Sequence, residues 1–372
     1  MSIESTKAMT VVFRVDASVQ MGTGHVMRCL TLASALHEQG YRCYFICRNH
    51  IGNLIDKIQQ SGFLVYIIES CSYDNADYSL LTSEQKPLFH ANWLGTTQKQ
   101  DAKECLTILE KLQPDWLVVD HYALDQNWQQ ALKSHYKKLM VIDDLGDRGH
   151  VADLLLDQNY GATVKKYDGL IPKSCKVLLG TNFALLRAEF ALWRDYSLAR
   201  RKGATSINSI LVTLGGADPD NYTGKILQQL ASIEISPQVK IVVVMGATAP
   251  HLQLVQHQAA NMSVKTTVKV NVINMAELMS NADLAIGAAG ATTWERCCLG
   301  LPTIQLVIAE NQRQIAEALA TDTAIKLLKD TSELTFLMST VDQWILPIAT
   351  RAQSIVDGLG SKRVVSHIIR IT

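Results

Sequence analysis

Short, continuously apolar segments rich in Val, Ile and Leu alternate with helical segments along most of this chain. In the first half they predict strands at residues 11–15, 42–47, 64–68, 116–119, 139–142 and 154–156. In the second half they predict strands at residues 209–214, 240–244, 268–273, 284–286 and 303–307. Strands that are apolar throughout are typical of parallel sheets covered by helices on both faces. The chain is therefore predicted to be an α/β protein.

The succession of strands is interrupted between residues 179 and 210, where a helix at 184–198 and a polar connector at 199–203 are expected. With 372 residues, the chain also exceeds the roughly 150–200 residues that one core usually organises. We predict an N-terminal domain over residues 8–203, a C-terminal domain over 204–347, and a last segment over 348–372 with a helix at 351–369. Residues 70–98 are the least regular stretch and are interpreted as an insertion or a lid.

The charge balance narrows the class of protein. Lys plus Arg and Asp plus Glu both number 35, whereas a nucleic-acid-binding protein needs a basic face. No signal-peptide pattern opens the chain, and no apolar run reaches the roughly 18 residues that span a bilayer. We expect a cytoplasmic monomer with neither a nucleic acid nor a membrane as partner.

The eight cysteines are scattered, and their spacing does not form a tetrahedral metal cage. Cys43 and Cys47 are expected to face the same buried side of one strand. The adjacent Cys297 and Cys298 would form a strained bridge. We therefore predict reduced, mostly buried thiols and no metal site.

The first strand leads into a loop at residues 16–28 that contains Gly22 and Gly24. Ligands of parallel α/β sheets bind at the carboxyl ends of strands, and glycines there allow the backbone to approach a ligand closely. The dinucleotide-binding fingerprint needs a third glycine where Met27 stands, and no Gly-Lys-Ser/Thr follows. The loop therefore favours neither a nicotinamide cofactor nor a P-loop nucleotide.

His25 begins the helix directly after these glycines. We interpret it as a general base, kept neutral by the helix N-terminus, with a capping or packing role as the alternative. Arg28 is suited either to a phosphate or to a carboxylate partner. Asp120, Asp143 and Asp144 also follow strands, where they either cap turns or contact a substrate.

The second half repeats the pattern of a strand followed by a glycine loop. Gly215, Gly216 and Ala217 follow its first strand and form a plausible diphosphate cradle. Gly290 and Ala291 follow a later strand, and Glu295 lies about one turn into the next helix. A carboxylate there can accept hydrogen bonds from ribose hydroxyls, and a solvated helix charge is the alternative. After the last predicted strand, the amides of Asn311 and Gln312 suit sugar hydroxyl or acetamido groups.

Seven motifs occur in a specific order: RVDAS at 14–18, MGTGHVMR at 21–28, VDHY at 119–122, IDDL at 142–145, LLRAEF at 185–190, TLGGADP at 213–219 and GATTWE at 290–295. Together they resemble the UDP-2,4-diacetamido-2,4,6-trideoxy-β-L-altropyranose hydrolases of pseudaminic acid biosynthesis. The resemblance extends over roughly residues 11–315. It implies a GT-B-like fold, with two Rossmann-like domains whose parallel sheets face each other across a cleft, and a last helix that packs back on the first domain.

The same resemblance implies hydrolysis of a UDP-linked diacetamido sugar at the anomeric carbon, with inversion and without a metal or cofactor. His25 is the implied base. The predicted substrate-binding residues are Asp16, Gly22, Gly24, Arg28, Tyr122, Asn311 and Gln312. The predicted UDP-binding residues are Gly215, Gly216, Ala217, Asn274, Met275, Gly290, Ala291 and Glu295. The alternatives are a glycosyltransferase on the same scaffold, a UDP-sugar 2-epimerase and a non-enzymatic nucleotide-sugar sensor, because a fold does not determine its function.

Overall fold

The computed structural model describes residues 8–69 and 88–372. The chain divides into two compact units. The first contains the described residues up to Leu185 together with Ser361–Thr372, and the second is Leu186–Gly360. Each unit has its own parallel sheet, so the predicted α/β class and the two Rossmann-like units are confirmed.

The first unit holds a seven-stranded sheet of order β3-β2-β1-β4-β5-β6-β7, in which neighbouring strands are parallel. Its elements are β1 (Thr10–Val15), α1 (Gly24–His37), β2 (Arg42–Arg48), α2 (Ile55–Gln60), β3 (Leu64–Ile68), α3 (Gln98–Leu112), β4 (Trp116–Asp120), α4 (Gln126–Ala131), β5 (Lys138–Ile142), β6 (Leu154–Asp157) and β7 (Lys176–Leu179).

The second unit holds a six-stranded parallel sheet of order β10-β9-β8-β11-β12-β13. Its elements are α5 (Ala188–Arg201), β8 (Ser209–Thr213), α6 (Tyr222–Ala231), β9 (Lys240–Met245), α7 (Leu252–Ala260), β10 (Lys265–Val270), α8 (Met275–Asn281), β11 (Leu284–Ala288), α9 (Thr292–Cys298), β12 (Thr303–Leu306), α10 (Arg313–Thr321), β13 (Lys326–Leu328), α11 (Leu334–Ser339) and α12 (Val341–Gln353). A final helix, α13 (Gly360–Ile371), belongs to the first unit.

The first core follows the predicted periodicity. The helix α1 buries one apolar stripe, and β2 turns both of its cysteines inward, as predicted. Three residues of α13 join the same core as Phe13 of β1. Among the described cysteines all thiols are free, and Cys71 lies outside the described residues. The buried residues of these elements are Val26, Leu30, Ala33, Leu36, Cys43, Cys47, Val364, Val365 and Ile368.

The structure differs from the sequence prediction mainly at the sheet edges. The strands β7 and β13 were not predicted, because they are short edge strands of four and three residues. The strand β10 ends at Val270 rather than at residue 273, because Asn271 adopts a positive φ of 51°. The predicted helix at 351–369 is two helices, α12 and α13, separated near Gly358, whose φ is +81°.

The division between the units also falls elsewhere than residues 203 and 204. It lies at Leu185, so that α5 belongs to the second unit, and that unit extends to Gly360 rather than to residue 347. Arg194 of α5 explains the difference, because its guanidinium donates to the carbonyl groups of Gln353 and Val356 at 2.7 and 2.9 Å. Residues 70–87 of the expected insertion lie outside the described residues, and a 3₁₀ helix at Ala91–Leu94 precedes α3.

Each sheet has one crevice at the carboxyl ends of its strands. The chain winds to one side from β1 through β2 to β3, and then returns to the other side of β1 with β4. The loops after β1 and β4 therefore leave toward opposite faces and open a crevice between them. The second sheet has the same arrangement at β8 and β11. The predicted glycine loops lie at these crevices, one after β1 in the first unit and one after each of β8 and β11 in the second.

Candidate active site

The glycine loop of the first unit is shaped by its backbone. Gly22 has a φ of +74° and donates its N–H to the carbonyl group of Ser18 at 2.9 Å. A side chain at this position would be strained, because positive φ is unfavourable for residues with a Cβ. Gly24 has an ordinary φ, and a Cβ there would meet no protein atom within 4 Å. The space beside Gly24 is therefore open to a ligand.

His25 lies in the crevice between β1 and β4, where its ring meets the last residue of β4. Its Nδ1 is 2.6 Å from Oδ1 of Asp120, and only a tenth of its side chain is exposed. Arg28, one turn further along α1, donates to both oxygens of the same carboxylate at 2.6 and 2.7 Å. The strand register pairs Asp120, the last residue of β4, with Val15, the last residue of β1. Asp120 therefore lies at the same edge of the sheet as the start of the glycine loop.

The charge of Asp120 determines which nitrogen of His25 is free. Burial acts to raise the pKa of Asp120, but the adjacent Arg28 and His25 together lower this pKa well below its ordinary value. The carboxylate is therefore ionised at neutral pH and can only accept hydrogen bonds. Nδ1 of His25 must then carry the proton that it donates to Asp120. Nε2 is left as the basic nitrogen, as in a His–Asp pair of a general-base site.

A second carboxylate lies on the other side of Arg28. Asp144, after β5, accepts a hydrogen bond from Nη1 of Arg28 at 3.2 Å and a short one from the hydroxyl group of Tyr122. Burial and the charge of Asp144 raise the pKa of Tyr122 well above its ordinary value, so the phenol keeps its proton. The Tyr122 ring meets the His25 ring edge to face, with centroids 4.6 Å apart. Arg28 thus has carboxylate partners, which agrees with one of the two predicted alternatives.

Aromatic residues from the segment before α3 border this site. The rings of Trp93 and Tyr122 are stacked, with centroids 5.6 Å apart and an interplanar angle of 29°. His90 contacts both rings, at 4.2 Å from Trp93 and 5.3 Å from Tyr122. The side of His25 that faces Tyr122 is therefore filled by aromatic rings, of which Trp93 is partly exposed and Tyr122 is buried.

Asp16 has a different environment from the other predicted substrate residues. Its fully buried carboxylate accepts from Nη1 of Arg14 and from the backbone N–H of Arg48, both at 2.6 Å. Its other oxygen lies 3.3 Å from Nε2 of His121. Arg14 and Arg48 in turn bind Asp101 at 2.6 and 2.8 Å. The structure thus places Asp16 in an ion-pair cluster beneath the loop, where it orders the end of β1 rather than facing the open space beside Gly24.

In the second unit, the loop after β8 is open in the same way as the first glycine loop. Gly215 has a φ of +99°, and Gly215, Gly216 and Ala217 are exposed. Gly246, after β9, donates its N–H to the carbonyl group of Gly216 at 2.9 Å, and a Cβ on Gly246 would lie 2.5 Å from that oxygen. Gly246 therefore supports the loop from the neighbouring strand, and the sequence had not singled it out.

Glu295 is not a solvated helix charge. Its side chain is 15% exposed and pairs with Arg187 at 3.4 Å, while Arg187 also pairs with Glu189 at 2.7 Å. Burial raises the pKa of Glu295, against the opposing effect of Arg187. The carboxylate lies in α9, directly after the loop that carries Gly290 and Ala291. It therefore combines low solvation with a position at the β11 end of the crevice.

The remaining predicted residues of this unit lie at two places along the sheet, the 3₁₀ turn Glu310–Gln312 after β12 and the start of α8 after β10. The amide Nε2 of Gln312 lies near Gly290, 3.8 Å from the position that a Cβ on that glycine would take. Asn274 is exposed, donates to Glu277 at 2.5 Å and precedes Met275 at the start of α8, after the edge strand β10. The backbone of Asn311 lies in the 3₁₀ turn Glu310–Gln312, and its side chain is outside what the structure describes.

Sequence reasoning indicated some residues of these sites without their partners and missed others. Asp120 and Asp144 were noticed as strand-end carboxylates, and the strand order shows that the former is the partner of His25. His90 and Trp93 come from an irregular stretch without periodicity, so no sequence signal indicates them. In the described part of the chain, no group of three His, Cys, Asp or Glu residues is arranged to hold a metal ion. Nor does any described helix combine the length and apolarity that a membrane span requires.

The fold is GT-B-like. The crystal structure of MurG from Acinetobacter baumannii is 17% identical, with a TM-score of 0.68, and the match covers 98% of this chain and 100% of that one. The UDP-GlcNAc 2-epimerase of Neisseria meningitidis, bound to UDP-GlcNAc, is 13% identical, with a TM-score of 0.62, and covers 98% of this chain and 100% of its own. The model of the glycosyltransferase family 28 C-terminal domain matches residues 209–356, within the second unit.

The sequence relatives are more specific and confirm the resemblance drawn from the motifs. The chain is 25% identical to the UDP-2,4-diacetamido-2,4,6-trideoxy-β-L-altropyranose hydrolase of Campylobacter jejuni over 314 residues, which are 84% of this chain and 96% of that protein. It is 27% identical to an uncharacterised protein of Methanocaldococcus jannaschii over 311 residues, 82% of this chain. This match spans 57% of the length of the archaeal protein.

Proposed function

We propose that this chain hydrolyses a UDP-linked amino sugar, releasing UDP and the free sugar. The observation that carries the proposal is the His25–Asp120 pair at the open glycine loop, with Nδ1 and the carboxylate 2.6 Å apart. A protein that only binds a nucleotide sugar has no need for a histidine whose tautomer is determined by a buried carboxylate. General bases in enzymes have this arrangement.

In the proposed reaction, a water molecule attacks the anomeric carbon. Nε2 of His25 takes a proton from this water while the new bond between oxygen and the anomeric carbon forms. The bond from that carbon to the oxygen of the β-phosphate breaks, and its electron pair leaves with UDP. This single displacement inverts the anomeric configuration. Asp120 stabilises the imidazolium that forms, as the carboxylate of a catalytic triad does.

The two units have different roles in this proposal. The second unit binds UDP, with the diphosphate at Gly215, Gly216 and Gly290 and the ribose hydroxyls at Glu295. The assignment of UDP to the second unit is supported by its glycine loops, by the partly desolvated carboxylate of Glu295 and by the match to a glycosyltransferase C-terminal domain. The first unit binds the sugar beside His25, where the partly exposed Trp93, stacked on the buried Tyr122, lies close by. No step of this reaction calls for a metal ion or a nicotinamide.

The substrate we propose is UDP-2,4-diacetamido-2,4,6-trideoxy-β-L-altropyranose, and the free sugar would serve pseudaminic acid biosynthesis. The support is the similarity to the Campylobacter hydrolase over nearly its whole length. A glycosyltransferase is the second candidate, favoured by the family 28 domain match and by the likeness to MurG. A UDP-sugar 2-epimerase is the third, since it shares the fold.

One experiment separates these activities. The protein is incubated with the UDP-diacetamido sugar in water enriched in oxygen-18, and the products are followed by NMR and mass spectrometry. We expect UDP and free sugar without an added acceptor, with the label in the sugar. Label in UDP would mean attack at phosphorus and would remove the role of His25. Turnover only with an acceptor would indicate a transferase, and a product altered at carbon 2 an epimerase.

A further inference from the structure

Arg296, in α9, is a buried cation that the proposed reaction does not use. Its side chain is among the largest fully buried ones, at 1% exposure. Its guanidinium donates to the carbonyl group of Ala288 at 2.8 Å and to side-chain oxygens of Thr292, Thr293 and Gln305 at 3.0, 3.2 and 3.1 Å. These bonds join the loop after β11 to the next strand, β12. All four acceptors are uncharged.

Among the described residues, the guanidinium of Arg296 has no carboxylate in direct contact, although the charge of the neighbouring Glu295 acts on it. Its Nε has no hydrogen-bond partner, and neither has Nε2 of the adjacent Gln305. The neighbouring carboxylate of Glu295 forms its ion pair with Arg187 instead. In residues 8–69 and 88–372 no carboxylate forms an ion pair with Arg296, and burial lowers the pKa of its guanidinium to about 10. A buried charge without a directly bonded counter-ion is costly, so the position of Arg296 calls for an explanation.

That position is the crevice between β8 and β11. A Cβ on Gly287 of β11 would lie 2.6 Å from Nη1 of Arg296 and 3.2 Å from the carbonyl oxygen of Thr213, the last residue of β8. Gly287 is therefore a glycine because the guanidinium occupies that space. The charge thus lies directly beneath the two loops that start after β8 and β11, which carry the exposed Gly215 and the open position at Gly290.

We propose that Arg296 is a positioning residue for the diphosphate group of the nucleotide, which it attracts from beneath the loops without touching it. The inference rests on the proposed function, since it takes UDP as the ligand of this crevice. The guanidinium shapes residues 288–293 through its hydrogen bonds, and a bound anion would add to the partial compensation that Glu295 already gives its charge. A buried charge acts on a nearby anion more strongly than an exposed one, because water screens it less.

The test compares UDP with uridine, which lacks the diphosphate, by calorimetry on the full chain. Arg296→Met removes the charge and keeps an aliphatic chain, and Arg296→Lys restores a charge without the planar fork. Arg201→Met is the matched control, because Arg201 is also buried and bonded to uncharged oxygens, those of Met279 and Ala282 included, at the opposite, amino-terminal edge of the sheet. Thermal unfolding confirms that each variant is folded.

We expect Arg296→Met to raise the Kd for UDP about tenfold or more relative to the Kd for uridine. Arg296→Lys should recover most of that difference, and Arg201→Met should leave the ratio of the two Kd values within about twofold. Equal losses for UDP and uridine in Arg296→Met would overturn the inference and leave a merely structural role. If the Met variant does not fold, Arg296→Gln replaces it with the same expectation. A normal chain that does not bind UDP would remove the proposed function and this inference together.

Discussion

Replacing Asp120 by Asn tests the pair that defines the first site. The carboxylate of Asp120 accepts hydrogen bonds from Nε and Nη2 of Arg28 at 2.6 and 2.7 Å and from Nδ1 of His25 at 2.6 Å. An amide of the same size keeps one acceptor oxygen and places an N–H₂ donor where the second oxygen was. Arg28 is then left with Asp144, at 3.2 Å, as its charged partner.

Two effects with different magnitudes follow from this change. Breaking a buried ion pair by neutralising one partner costs about 3–5 kcal/mol, so we expect the first unit to lose that much stability at pH 7. If the amide donates to Nδ1 of His25, the proton of the ring moves to Nε2 and the base is blocked. Losses of about 10²–10⁴-fold in kcat are expected for such a tautomer change.

The assay follows both effects in the same protein. Urea unfolding is monitored by tryptophan fluorescence, to which the buried Trp116 and Trp128 of the first unit contribute, and kcat is measured beside the Kd for UDP. Because the pKa of Asp120 is far below its ordinary value in the folded chain, the stability difference should be constant from pH 8 to about pH 5. The stability difference should shrink as the pH falls below about 3.9, the pKa of an aspartate in the unfolded chain, toward the lower pKa of Asp120 in the folded chain. A kcat within tenfold of the normal value would refute the tautomer argument.

Four further outcomes are expected. His25→Ala should lower turnover by about a hundredfold or more while leaving the Kd for UDP within about threefold, and a large rise in that Kd would instead make His25 a nucleotide ligand. Glu295→Ala should weaken UDP binding by about ten- to a hundredfold. The control Glu189→Ala removes the other carboxylate partner of Arg187 and should leave UDP binding unchanged. Equal effects of the two variants would exclude a ribose contact by Glu295. Burial lowers the pKa of His150 to about 4, so as the pH falls below about 6.5 the unfolded chain binds this proton before the folded chain does. Up to about 3 kcal/mol of the free energy of unfolding should therefore be lost by pH 4. His150→Asn should flatten that part of the pH–stability curve, and an unchanged slope would contradict the assignment. Turnover should persist in EDTA, and a loss restored by a divalent ion would overturn the metal-free mechanism.

Several parts of the fold and the sites were predictable because their signals are local. Apolar runs such as those of β1 and β4 identify buried strands, and Gly22 indicates a turn with a positive φ, which is unfavourable for residues with a Cβ. The edge strands β7 and β13 escaped prediction because three or four residues carry too little pattern. The irregular segment with Trp93 escaped for the same reason.

The sequence by itself determined the α/β class, the two glycine loops and the position of His25 at the start of a helix, since each depends on residues that are neighbours along the chain. Only the tertiary structure decided which groups these residues meet. Asp120 is 95 residues from His25 and 92 from Arg28, and Arg296 lies beside Gly287 of β11 and donates to Gln305 of β12 only because the strand order makes these strands neighbours. The likewise acidic Asp16 became part of a buried ion-pair cluster instead. The physical reason is that hydrogen bonds and desolvation depend on distances in space, which sheet topology establishes and local sequence does not.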